Sequence, residues 1–320
     1  MDDSADVSLD RRGFLLAGLA GAVTLTVGGT TGLLVSARPA QGATMKVLDV
    51  TGDYAINDAQ TGTQVSVTVR NGVRRIRANG LPNHATGSFP NAHNPNSISA
   101  QSYDYSLPAN PTRNATSTPY ALPQPFGIAI NGVLFDPFAA EWWDRSGSGS
   151  WQYEALGGGI DLGIDENHAH VQPNGAYHYH GIPTGLAASI KSSQHSPLVG
   201  WAGDGFPIYL NRGYRKATDA KSGLQALTSS YQVKSGTRPD GPGGAYDGTY
   251  VLDWEYRAGS GTLDAANGRF AVTPEYPRGS FVYILTPGVL EIPRHFAGTI
   301  AQSFVRNGPS SPAGLGRPPR

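Results

Sequence analysis

One stretch limits what this chain can fold into more than any other. It reads Asn167-His168-Ala169-His170-Val171-Gln172-Pro173-Asn174-Gly175-Ala176-Tyr177-His178-Tyr179-His180 and carries four of the eight histidines. The histidines form two His-x-His pairs, one on each side of Pro-Asn-Gly. Alternate residues of a strand face the same side, so each pair sends both imidazoles to one face. Pro suits the first central position of a type I turn, Asn the second, and Gly the left-handed position of a three-residue hairpin loop with a bulge. With that loop, Gln172 faces Ala176, Val171 faces Tyr177, His170 faces His178 and His168 faces His180, which brings all four imidazoles to one face. Opposed Cβ atoms stand roughly 4.5–5.5 Å apart, so a cross-strand pair and a diagonal neighbour can reach one ion. A two-residue loop would slip the register and turn the pairs away from each other. The site therefore hangs on Gly175.

Without an ion, four imidazoles on one face would each need a hydrogen-bond partner, and any that were protonated would repel. The bland alternative is an aromatic ladder of alternating His and Tyr with good β propensity. Ligand chemistry narrows the metal. The chain has no Cys and two Met, so a transition-metal site must use imidazole, carboxylate, amide or backbone oxygen, and all-imidazole ligation suits Cu, Zn or Fe.

Candidate residues also lie outside the hairpin. His84 and His93 sit in a polar Pro- and Asn-rich stretch from Gly80 to Pro125, a length of loop that is uncommon unless functional. His195 follows the hairpin, and Asp204 stands between two glycines. His84 or His195 is expected to complete the ligand set. Asp204 and Glu166 are the candidate general bases if the site hydrolyses a substrate. The acidic run from Asp161 to Glu166 is the expected source of carboxylates that orient the imidazoles.

The fold is expected to be mainly β, a sandwich-like or irregular-barrel domain with long loops and few short helices. Gly 42 and Pro 24 in 320 residues favour a loop-rich chain. Gln64–Val69, the Asn71-Gly72 turn and Val73–Arg77 read as a hairpin. Phe126–Phe135 reads as strand, turn, strand, and Glu141-Trp142-Trp143 as a short helix whose tryptophans enter the core. Gly203–Tyr209 reads as a turn into a strand, and Thr249–Tyr256 and Ser280–Thr286 as strands.

At the N-terminus, Asp10-Arg11-Arg12-Gly13-Phe14-Leu15-Leu16 opens an apolar run to about Val35 that resembles a twin-arginine export signal. Residues 1–42 are expected to be this leader, residues 43–306 the β-rich domain, and residues 307–320 a disordered Pro/Gly/Ser-rich tail. Cleavage after Ala37 or Gly42 would release the chain to a periplasmic, cell-surface or extracellular location. Retained, the run would be a membrane anchor. Net charge is zero and the pI is about 7.1, which removes the electrostatic case for nucleic acid.

Beyond the hairpin, several blocks resemble the YHYH domain family, whose name matches Tyr177-His178-Tyr179-His180. They are Gly80-Leu81-Pro82-Asn83-His84, Asn94-Pro95-Asn96, Gly127–Val133, Gly203–Tyr209, and Leu263-Asp264 with Asn267-Gly268-Arg269 and Thr273–Pro277. The resemblance implies an exported protein of undefined biochemistry. Where family members often carry Cys, this chain has Ala265-Ala266, so a thiol role there is lost. Three functions follow: a metal-binding protein, a metal-dependent hydrolase or copper redox enzyme, and a metal-free module that stacks a small molecule or polysaccharide on Trp142, Trp143 and the tyrosines.

Overall fold

In a computed structural model the described residues are 50–188 and 194–305. The expected leader and tail lie outside them. Two sheets dominate. Tyr54–Asn57, Gln64–Arg70, Val73–Ala78 and Tyr103–Pro108 form a four-stranded antiparallel sheet in chain order. Its central hairpin turns at Asn71 (φ +50°) and Gly72 (φ +77°), the left-handed pair that matches strand twist.

The larger sheet has eight strands. From one edge to the other they are Ala169–Val171, Tyr177–Tyr179, Leu134–Phe135, Gly127–Ala129, Leu198–Ala202, Pro207–Leu210, Ser280–Leu285 and Gly268–Ala271. Pairing is mixed: 177–179 runs parallel to 134–135, and 207–210 parallel to 280–285. The sheet stays open at both edges, so the barrel alternative is not formed.

Both sheets feed one apolar core. Val65, Val67, Ile76 and Leu107 of the small sheet join Ile128, Val133, Trp201 and Ile208 in a single buried cluster. Trp201 links the layers, with Tyr54 stacked on it at 6.1 Å and the Arg74 guanidinium 4.5 Å above its ring. At about 25 cal/mol per Å² of apolar surface removed from water, aromatic anchors of this size carry much of the folding free energy.

Three expectations differ. The Gly80–Pro125 stretch, read as loop, contains the strands Tyr103–Pro108 and Arg113–Pro119, the second paired with His295–Gly298. Phe138–Trp142 is a strand paired with Gln152–Glu154, not a helix. Phe138 and Ala139 are buried, and the connecting Ser/Gly run supplies a turn that returns Trp151 O to Trp143 N at 2.9 Å. Trp143 is consequently 46% exposed rather than core. In the 249–256 segment only Trp254–Tyr256 is strand, and Val251–Asp253 is a 3-10 turn. The buried Asp253 carboxylate causes this, because it accepts hydrogen bonds from Gly248 N and Tyr250 N and pairs with Arg238. Among the described residues, no helix is long and apolar enough to cross a membrane.

Candidate metal centre

The histidine hairpin forms the edge of the large sheet in the expected register. His170 is opposite His178, Val171 opposite Tyr177, and Ala169 opposite Tyr179. Gln172 N donates to Ala176 O at 2.9 Å, and Gly175 N closes the loop on Gln172 O at 2.8 Å. Gly175 has φ +83°, and an added Cβ would collide with Ser99 Oγ. Glycine is therefore required by both conformation and space.

Three imidazoles converge. His178 Nε2 lies 3.0 Å from His180 Nε2, which lies 3.1 Å from His170 Nε2. One nitrogen from each ring falls within 4.8 Å of the others. His178 and His180 are buried, and His170 is partly open to solvent. Burial, reinforced by His178, pushes the His170 imidazole down to about 3, and burial together with both neighbouring rings drives His180 well below its ordinary range. Both rings are thus neutral near pH 7, which is the form that binds metal.

Tautomers follow from backbone carbonyls, which only accept. His170 Nδ1 lies 2.9 Å from Leu162 O and His178 Nδ1 3.2 Å from Ala176 O. Both rings therefore carry hydrogen on Nδ1, and when neutral they present a bare lone pair at Nε2. Both lone pairs meet His180 Nε2, which has at most one hydrogen to give. His180 Nδ1 makes no well-formed hydrogen bond among the described residues, although the Asp136 backbone favours its protonated form. At most one of the two short contacts can thus be a hydrogen bond, and the other holds two nitrogens together with no hydrogen between them. A cation relieves that conflict. Imidazole nitrogens about 2.0–2.1 Å from a tetrahedral ion stand about 3.3 Å apart, so the 3.0 and 3.1 Å contacts at His180 need to open by only a few tenths of an ångström. The donor set fits a transition metal, and the residues that would hold it are His170, His178 and His180.

The fourth hairpin histidine does not join them. His168 sits at φ +52° in a turn where its N–H meets Asp165 O, and its Nδ1 lies 2.6 Å from Glu291 Oε2. Glu291 is buried and also accepts from Ile182 N. The left-handed residue takes the ring off the strand alternation on which a four-histidine face depends.

The two tyrosines use the opposite face. Tyr179 hydroxyl donates to His84 Nε2 at 2.6 Å and accepts from Asn131 Nδ2 at 2.9 Å. Tyr177 hydroxyl donates to Asp165 Oδ2 at 2.7 Å, which also accepts from Gly87 N. Asn94 and Asn96 both donate side-chain N–H groups to Val171 O. These bonds fasten the 80–100 stretch over the hairpin, so its polar residues position the site without being ligands. His84 belongs to this clamp. His93 is exposed beside Asp161.

The remaining candidates are engaged elsewhere. His195 Nδ1 lies 2.7 Å from Ser196 O, and its ring packs on Tyr209 and Tyr214. Asp204 is buried, accepting from Tyr283 hydroxyl at 2.5 Å and from Gly298 N and Phe206 N. Glu166 is exposed, and its backbone oxygen accepts from Thr184. Neither carboxylate joins the imidazole cluster. The ring orienters are the Leu162 and Ala176 carbonyls rather than the expected acidic residues, since Asp165 holds Tyr177. Gln172 was legible only as a hairpin position, yet its amide nitrogen lies 3.4 Å from His178 Nε2. Parity was the available signal, because residues 170 and 172 share a face. For an aromatic binding platform, Tyr177 and Tyr179 are fully buried, and Trp143 alone of the five tryptophans is exposed.

No curated protein and no solved structure matches the chain. The model of a family described as YHYH protein matches residues 104–298. That span holds both His-x-His pairs, the turn and the two tyrosines, while the Gly80–His84 and Asn94–Asn96 blocks fastened to the hairpin precede it. By this match over more than half its length, the chain belongs to the YHYH protein family.

Proposed function

We propose that this protein binds one transition-metal ion through His170, His178 and His180, and that it is exported. The observation that carries the metal reading is the meeting of three Nε2 atoms at 3.0 and 3.1 Å with two of the Nδ1 hydrogens already committed to carbonyls. Cu, Zn and Fe suit all-imidazole ligation. Binding is the role favoured over hydrolysis, because Asp204 and Glu166, the two candidate bases, stand outside the imidazole cluster. Export rests on Arg11-Arg12 ahead of an apolar run.

The test is elemental analysis of the purified protein beside His178→Ala/His180→Ala. About one equivalent of metal in the parent and none in a still-folded variant supports the reading. A parent that takes up no Cu, Zn or Fe overturns it. Replacing Arg11 and Arg12 by Lys and following the chain's location tests export separately, with unchanged delivery as the contrary result.

A further inference from the structure

Given a metal ion on His170, His178 and His180, and resting on that reading, we propose that Gln172 is the fourth wall of the site. Its amide N–H holds a small anionic ligand that completes the ion's coordination. Four observations converge on it. Gln172 shares the strand face of His170 by parity, and its backbone pairing with Ala176 at 2.9 Å places it beside His178. Its amide nitrogen already lies 3.4 Å from His178 Nε2. The side chain is partly exposed, so the site opens to solvent on the side of His170 and Gln172, whereas His178 and His180 are buried.

Charge supplies the fourth observation. The clustered donors are three imidazoles with no carboxylate among them. Neutral ligands leave both charges of a divalent ion uncompensated, and an unpaired charge in a largely buried site is costly. A monoanion offsets one of the two charges and lowers that cost, and three protein ligands leave one position of a tetrahedral ion for it. A carboxylate at position 172 would offset one charge permanently and occupy the anion's place. A neutral amide does not, yet it donates to an anion by a charge-assisted hydrogen bond. The ligand class is accordingly a small monoanion with one atom for the metal and a second acceptor for Gln172, such as a carboxylate or a linear pseudohalide.

The experiment loads the full chain with cobalt(II), whose visible spectrum reports coordination, and titrates it with azide. The parent is expected to show a saturable spectral change. Gln172→Leu should keep its cobalt and bind azide about tenfold more weakly, as expected for loss of one hydrogen bond to a charged group. Gln172→Glu should also keep cobalt, release it more slowly to a chelator, and lose the azide response because its own carboxylate takes the anion's place. Equal azide affinity in the parent and Gln172→Leu overturns the proposal. So does tighter azide binding in Gln172→Leu, which would make the amide a direct ligand that competes with the anion, and so does a cobalt-loaded parent blind to azide. A parent that takes up no cobalt overturns it at the loading step, before azide is added, and marks the failure as one of the metal reading.

Discussion

The Nε2 atoms of His178 and His180 stand 3.0 Å apart, two residues along the chain and on one face of the hairpin. Tyr179, between them, points the other way and meets His84 Nε2 at 2.6 Å. The tetrad thus divides its labour by parity, with histidines forming a donor cluster on one face and tyrosines clamping a loop on the other.

That division predicts separable effects. In Tyr179→Phe, His84 Nε2 and Asn131 Nδ2 lose their shared partner, and stability should fall by about 1–3 kcal/mol. Metal stoichiometry should stay at the parent value. Urea unfolding and elemental analysis on the same preparation check both halves, and loss of metal from a folded Tyr179→Phe protein would contradict the division.

Removing one imidazole should act in the opposite sense. His170 is the most accessible ligand, held by Leu162 O at 2.9 Å. His170→Ala should weaken metal binding by at least about tenfold, since even residues that only support ligands cost about 10–100-fold. Competition against a chromogenic chelator measures this, with the metal-free unfolding midpoint as the control for folding.

The turn glycine is the point on which the register depends. Gly175→Ala places a Cβ at φ +83° and into Ser99 Oγ, a left-handed strain of about 1–3 kcal/mol before any clash is relieved. Stability and metal affinity should fall together. Retained affinity at parental stability would show that the cluster survives without this turn.

Acid should destabilise the metal-free protein well above the carboxylate range. Burial lowers the pKa of His84, His170, His180, His195 and His295. As pH falls through about 6.5, these imidazoles protonate in the unfolded chain before the folded one, so unfolding takes up protons and stability declines. For His170 the loss continues until pH reaches the folded value of about 3. His168 opposes this, because Glu291 raises its pKa. Its stabilisation is full below the unfolded value and lost as pH rises through the folded one. Glu154 opposes it as well, because burial raises its carboxyl to about 7 and the folded chain takes up that proton first as pH falls, and the raised carboxyls of Glu141 and Asp204 act in the same sense at lower pH. The five histidines outnumber these groups between pH 8 and pH 5, so a net fall in urea midpoint is expected in the presence of a chelator, and a flat or rising midpoint would contradict the burial of these rings.

Local chemistry decided much of the site. Pro173-Asn174-Gly175 specifies a three-residue loop, and strand alternation then places His170, His178 and His180 on one face with no help from distant residues. The Asn71-Gly72 and Asn131-Gly132 turns were legible for the same reason, since a left-handed position leaves few choices of residue. The tertiary structure decided which candidates complete the cluster. His168 follows the alternation in sequence but is diverted by a turn at Asp165 and by Glu291, 123 residues away. Asp204 reads as a free loop carboxylate until Tyr283, 79 residues on, takes it. Leu162 O and Ala176 O orient the rings, and a backbone oxygen carries no mark in sequence. Side-chain periodicity fixes a face because it is set by bonded geometry over a few residues. The partner that satisfies each polar group is chosen by whichever distant segment the core brings alongside, and only the folded chain contains that information.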